Sequence, residues 1–104
     1  MNITHILEEH LKWLNGEGGQ RADLSWADLV GADLTEANLA GAELYRANLT
    51  GANLTGANLA GADLVGANLT EANFTKANLE GAALEGAYLM GTTLAEANLT
   101  GILL

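Results

Sequence analysis

Near the N-terminus, His5, Glu9 and His10 are residue types that hold metals or move protons. His5 and Glu9 stand four apart, which on a helix places them on one face. A His-Glu-x-x-His zinc arrangement is absent, and no third strong ligand lies nearby in the sequence. The two histidines are therefore expected as ordinary residues of a helix surface or of a buried lid. Carboxylates such as Asp23 and Glu43 could in principle share acid–base work, but glycoside cleavage needs a cleft between them. Gly16, Gly18 and Gly19 follow a helical segment, whereas a phosphate-cradling loop precedes one. The chain has no cysteine, which removes thiol catalysis and thiolate metal sites. The reading is a non-enzyme with no catalytic, cofactor-binding or metal-ligating residue.

The remaining composition narrows the class further. A length of 104 residues suits one domain, and 49% hydrophobic residues are too many for a disordered acidic tail. Thirteen acids against four bases, net charge −9, argue against binding nucleic acid. No apolar run is long enough to span a membrane, and the N-terminus lacks the basic flank of a signal peptide. A cytoplasmic protein with no nucleic-acid or membrane partner is expected.

What must position these side chains is a repeat. From Ala22 to Gly101 the chain falls into sixteen units of five residues. The third position of each unit is leucine, except Phe74, and the first is alanine, except Thr92. The second is Asp, Asn or Glu in thirteen units, and the fifth is glycine in ten. On an α-helix a step of five advances about 140°, so the leucines would spiral round every side. On one continuous strand an odd step would alternate them between faces. A coil that bends between short sides keeps each Ala and Leu inward, with Gly, Asn and Asp making the bends inexpensive. Its turns stack by parallel ladder bonds, because no single turn can bury its own leucines.

The unit Ala-(Asp/Asn)-Leu-x-x resembles the pentapeptide repeat family over residues 22–101. The resemblance implies an all-β fold, a right-handed quadrilateral β-helix with four units per coil. Sixteen units then make four coils, roughly 19 Å tall at about 4.8 Å per coil. The expected local structure is short β-bridges separated by turns.

Residues 1–21 read as an N-terminal capping helix and a glycine-rich link. Ile3, Ile6, Leu7, Leu11 and Leu14 recur at helical spacing and form an apolar face for Leu24, Leu29, Leu34 and Leu39. Asn2 or Thr4 suits its N-cap, Gly16 its end, and Trp13 lies at the margin of the face. A swapped or partner-binding helix is the alternative. At the other end, 102–104 is an apolar tail. Leu99, Ile102, Leu103 and Leu104 either fold across the last coil or meet a second copy. Some pentapeptide repeat proteins dimerise through this end, so the resemblance favours a homodimer.

Taking every fourth unit groups the outer faces. One carries Asp23, Glu43 and Asp63 beside Trp26, Tyr45, Arg46 and Val65, a candidate face for an unidentified protein partner. The Asn and Thr columns elsewhere are expected to bond to one another and to backbone between coils. Two functions fit this reading. The first is a non-catalytic interaction or structural module, like many small bacterial and phage members of the family. The second comes from resemblance to members that mimic DNA and bind DNA gyrase or topoisomerase IV. From Ala22 onward the net charge is −8, against roughly eleven phosphates on a duplex of that length. The acids crowd into the first coil, however, and the inserted loops of quinolone-protection members are missing.

Overall fold

A computed structural model describes all 104 residues. It contains one helix, α1, spanning Ile3–Leu14. The Asn2 side chain caps it by accepting the His5 amide at 3.1 Å. The link then folds back along the helix, where Gln20 donates to the Glu9 carbonyl at 3.2 Å. Gly19 makes that return possible: its φ is +72°, and a Cβ there would collide with the Glu9 carbonyl and approach Lys12 Cβ to 2.7 Å. No helix is long and apolar enough to cross a membrane.

From Asp23 to Leu103 the backbone coils with a period of 20 residues. Thirteen parallel bridges, each joining a second-position residue to the one 20 further on, run from Asp23↔Glu43 to Ala83↔Leu103. Twenty residues are four five-residue sides per turn, and no side is long enough to form a regular strand.

A complete interior unit accounts for its five amides in five ways. In the unit Asn58 to Ala62 and its neighbours the pattern is complete. Ala62 N–H closes a turn on the Leu59 carbonyl at 3.0 Å. Asn58 N–H reaches back one coil to the Ala37 carbonyl at 2.9 Å. Leu59 and Gly61 donate forward to the Asn78 and Glu80 carbonyls at 2.7 and 2.8 Å. The remaining amide, on Ala60, donates to the Asn58 side chain at 3.0 Å. That last bond explains the second-position Asp and Asn: a short side-chain oxygen satisfies the amide two residues on. Twelve units make it. At Thr35, Thr50, Thr55, Thr70 and Thr75 the fourth-position hydroxyl donates to the same oxygen, as Thr75 does to Asn73 at 2.6 Å.

The polar columns are therefore held within their own units, correcting the expected bonding between coils. The inter-coil exceptions are Asn98 Nδ2 to Glu80 at 3.5 Å and, from a first position, the Thr92 hydroxyl to the Leu69 carbonyl at 2.7 Å. An Asx turn closes over one unit, whereas amides one coil apart already sit in the backbone ladder.

Inside, the leucines from Leu24 to Leu84 and Phe74 are buried with Ala22 and the first-position alanines from Ala42 to Ala82, 23 apolar residues in one core, while Ala27, Ala32 and Ala37 are partly buried. Leu59 and Phe74 are fully enclosed. Leu59→Ala is expected to cost about 2–5 kcal/mol in chemical denaturation. Leu89→Ala, at a site already 38% exposed, should cost about half that or less. Equal losses would contradict the graded burial.

Candidate interaction surfaces

Asp23, Glu43 and Asp63 stand in one bridged column, so the coil brings these carboxylates together. Each is engaged locally. Asp23 accepts the Ser25 amide at 3.1 Å, and Asp63 accepts the Val65 amide at 3.0 Å. Glu43, the one glutamate in a second position, makes no such turn and pairs with Arg21 of the link. The Ser25 backbone and hydroxyl hold the Asp23 carboxyl below its ordinary value. Asp33 is lowered likewise, first by the Thr35 hydroxyl and then by its amide.

At the corner beside this column, Trp26 and Arg46 replace the usual glycine and keep its left-handed backbone, with φ of 64° and 55°. A side chain larger than glycine is strained there. Trp26 meets Tyr45 edge-on at 5.9 Å, and the Arg46 guanidinium lies 5.3 Å from the Trp26 ring and 5.7 Å from Tyr45. Lys12, Arg21 and Lys76 each pair with a carboxylate, while Arg46 has none within salt-bridge distance. Its stem runs over Gly66, one coil further on. Trp26 is 67% exposed, whereas Tyr45 and Val65 are half-buried and contribute less surface than their types suggest.

At the N-terminal end, Ile3, Ile6 and Leu7 pack against the core and Leu14 is half-buried. Leu11 is 47% exposed and is not part of the covering face. The fully buried residue of α1 is His10, the one polar side chain in the interior. Its Nδ1 accepts the Ala22 amide at 2.9 Å, so Nε2 carries the proton and donates to the Ala40 carbonyl at 2.8 Å. Trp13 stacks on His10 at 5.4 Å, and the Arg21 guanidinium lies 5.6 Å from the Trp13 ring. A polar cleft of about 250 Å³ beside the helix brings His5, Glu9 and Asp23 into one lining. No group of three or more His, Cys, Asp or Glu is placed to hold a metal ion.

At the C-terminal end, residues 102–104 continue the coil. Leu103 donates to the Ala82 carbonyl at 2.9 Å and accepts from the Leu84 amide at 2.7 Å. Ile102, Leu103 and Leu104 thus occupy the first three positions of a further unit and do not fold across the last turn. Leu99, Ile102 and Leu104 line an apolar bowl of about 180 Å³ together with Leu89 and Leu94. Leu103, in an outward second position, lies outside it.

The Pentapeptide repeats family model matches in eight copies, over residues 20–56, 52–91 and 67–104. The chain belongs to the pentapeptide repeat family. Its coil is the right-handed quadrilateral β-helix of that family, joined here to one short helix. Among solved structures it is similar to HetL, a pentapeptide repeat protein involved in heterocyst differentiation regulation from Nostoc sp. strain PCC 7120. That match has 42% identity over 80% of this chain and 40% of HetL, with a TM-score of 0.45. A pentapeptide repeat protein of the Arabidopsis thaliana thylakoid lumen is 40% identical over 78% of this chain and 60% of its own, with a TM-score of 0.48. QnrB1, a plasmid-mediated fluoroquinolone resistance protein, is 23% identical over 85% of this chain and 52% of its own, with a TM-score of 0.42. The chain therefore spans 40% and 60% of the length of the first two. No curated protein matches.

Two outcomes test these contacts. Gly66→Ala places a Cβ 2.9 Å from Arg46 Cγ as well as straining the backbone, and Gly61→Ala meets open space. Gly66→Ala is expected to be the more destabilising in denaturant, with Arg46→Gly removing at least about 0.5 kcal/mol of the excess in a double-mutant cycle. A carboxyl lowered in the folded state adds stability above its unfolded value of 3.8, lost as pH falls through the lower folded value. Asp33→Asn, which keeps the turn but cannot titrate, should flatten the acid limb of a stability-against-pH curve.

Proposed function

We propose that the chain is a non-catalytic interaction module of four coils over residues 22–101. Residues 1–21 serve as its N-terminal cap and link, and its C-terminal end pairs with a second copy. The observation that carries this reading is the apolar bowl of Leu89, Leu94, Leu99, Ile102 and Leu104, whose rim also holds ladder amides without acceptors. Leu89, Leu94 and Leu99 occupy the position whose amide elsewhere donates to the next coil, and here none does. An apolar end with open ladder groups is the kind of edge that associates unless covered. A two-fold axis through it closes the assembly at two copies, because α1 occupies the opposite end.

The corner of Trp26, Tyr45 and Arg46, with Asp23, Glu43, Asp63 and Val65 around it, is the proposed contact for a separate protein partner. Exposed tryptophan and an arginine free of carboxylates are the residue types that anchor interfaces. The alternative is a DNA-like rod that binds a type II topoisomerase such as DNA gyrase. The charges favour it less: the first coil carries four acids, while Glu43 and Arg46 cancel in the second.

Light-scattering-coupled size exclusion tests the pairing. The intact chain is expected at twice its 10.8 kDa mass, and Leu99→Asp at the single-chain mass. An intact chain that stays at 10.8 kDa at high micromolar concentration would contradict the reading.

A further inference from the structure

The coil's own hydrogen-bond rule reveals what His10 replaces. Within the repeat, a first-position amide donates to the third-position carbonyl of the preceding unit, as Ala27 does to Leu24 at 3.0 Å. A fourth-position carbonyl accepts from a fifth-position amide one coil earlier, as Ala60 does from Gly41 at 2.8 Å. Ala22 and Ala40 lie where the coil begins and lack those partners. The imidazole supplies both: Nδ1 stands for the missing carbonyl, and Nε2–H stands for the missing amide. One ring thus closes two backbone groups from segments 12 and 30 residues away from it.

We propose that His10 is a proton-sensitive latch, and that α1 is a cap which leaves the first coil in mildly acidic solution while the coil stays folded. Protonating Nδ1 would turn its N–H toward the Ala22 N–H, replacing a hydrogen bond by two opposed donors in a buried site. The charged groups around the ring reinforce this. On the link, Arg21 lies over Trp13, which stacks on the ring, and adds a like charge. On α1, Glu9 and Lys12 pair with each other at 3.2 Å, and His5 is exposed. Across the coil, Glu43 is paired with Arg21, and Asp23 bonds to Ser25. No carboxylate is hydrogen-bonded to the ring. Burial, ahead of Arg21, holds the imidazole below its usual 6.5, although its bond to the Ala40 carbonyl opposes them. The sign follows: the neutral ring's contribution is full above 6.5 and is lost as pH falls through the lower folded value.

Once unlatched, α1 should unravel, because a free helix of 12 residues is marginal in water. It is the only helix, so the circular dichroism signal at 222 nm reports on the cap. The experiment follows that signal on the full chain from pH 7.5 to about 5, above the ordinary carboxylate range, with His10 protonation followed by NMR. The expected result is loss of helical signal in step with His10, the amides of Leu44 to Leu79 remaining protected from exchange. His10→Gln, which can offer an acceptor and a donor without titrating, is expected to give a pH-independent signal, and His5→Gln to behave as the parent. Helical signal that survives His10 protonation overturns the proposal. So does a coil that melts together with the helix, or an acid transition that persists in His10→Gln.

Discussion

Five amide hydrogens lie on each five-residue side, and the coil depends on a division of labour that gives them five distinct partners in a complete interior unit. Three bond to neighbouring coils, one closes the corner, and one is taken by the second-position side chain. The repeat Ala-(Asn/Asp)-Leu-x-Gly follows from that division. Alanine and leucine fill the interior, a short carboxamide or carboxylate reaches the amide two residues on, and glycine tolerates the left-handed corner. Some departures from the consensus give a side chain a different task. Glu43 reaches Arg21, and Trp26 with Arg46 builds an aromatic–guanidinium corner despite the strain. Lys76 and Glu96, two further left-handed residues one coil apart, form an ion pair between successive coils at 3.8 Å.

The same ladder makes the ends the vulnerable parts of the molecule. Interior coils supply partners above and below, while each terminal coil leaves half its groups open. At the N-terminal end α1 covers the leucines, and His10 replaces two of the missing bonds. At the C-terminal end the apolar interior reaches the surface through Leu99 and Leu104, which are 37% and 78% exposed. The two ends therefore differ: α1 covers one, and the other leaves apolar side chains and ladder amides exposed.

Period and inward set were legible because leucine and alanine recur through sixteen units with only Phe74 and Thr92 as exceptions, while the four-sided, right-handed section came from the family resemblance. The ends were less so. His10 shares the apolar side of the helix with Ile3, Ile6, Leu7 and Leu14 by its spacing, and α1 turns it inward, while Leu11, counted in the same face, stays 47% exposed. Nothing near His10 in the chain announces Ala22 and Ala40 as its partners; they become visible once the ladder register is known. The Asn and Thr columns were legible as structural, but the local Asx turn depends on backbone direction that spacing alone does not reveal. Residues 102–104 carry hydrophobic side chains in every repeat position, which hides that they continue the register. The column of Asp23, Glu43 and Asp63 was readable from the 20-residue step, while its ties to Ser25, Arg21 and Val65 required the fold.

Residue-resolved amide exchange, measured at low and high protein concentration, tests the central claim most directly. A coil that is closed at one end and pairs through the other should show Leu44, Leu49, Leu54 and Leu59 strongly protected at both concentrations. Leu89, Leu94 and Leu99, which lack ladder acceptors within one chain, should exchange rapidly when dilute and become protected as concentration rises. Protection of those three that is independent of concentration, or uniform along the coil, would contradict the account.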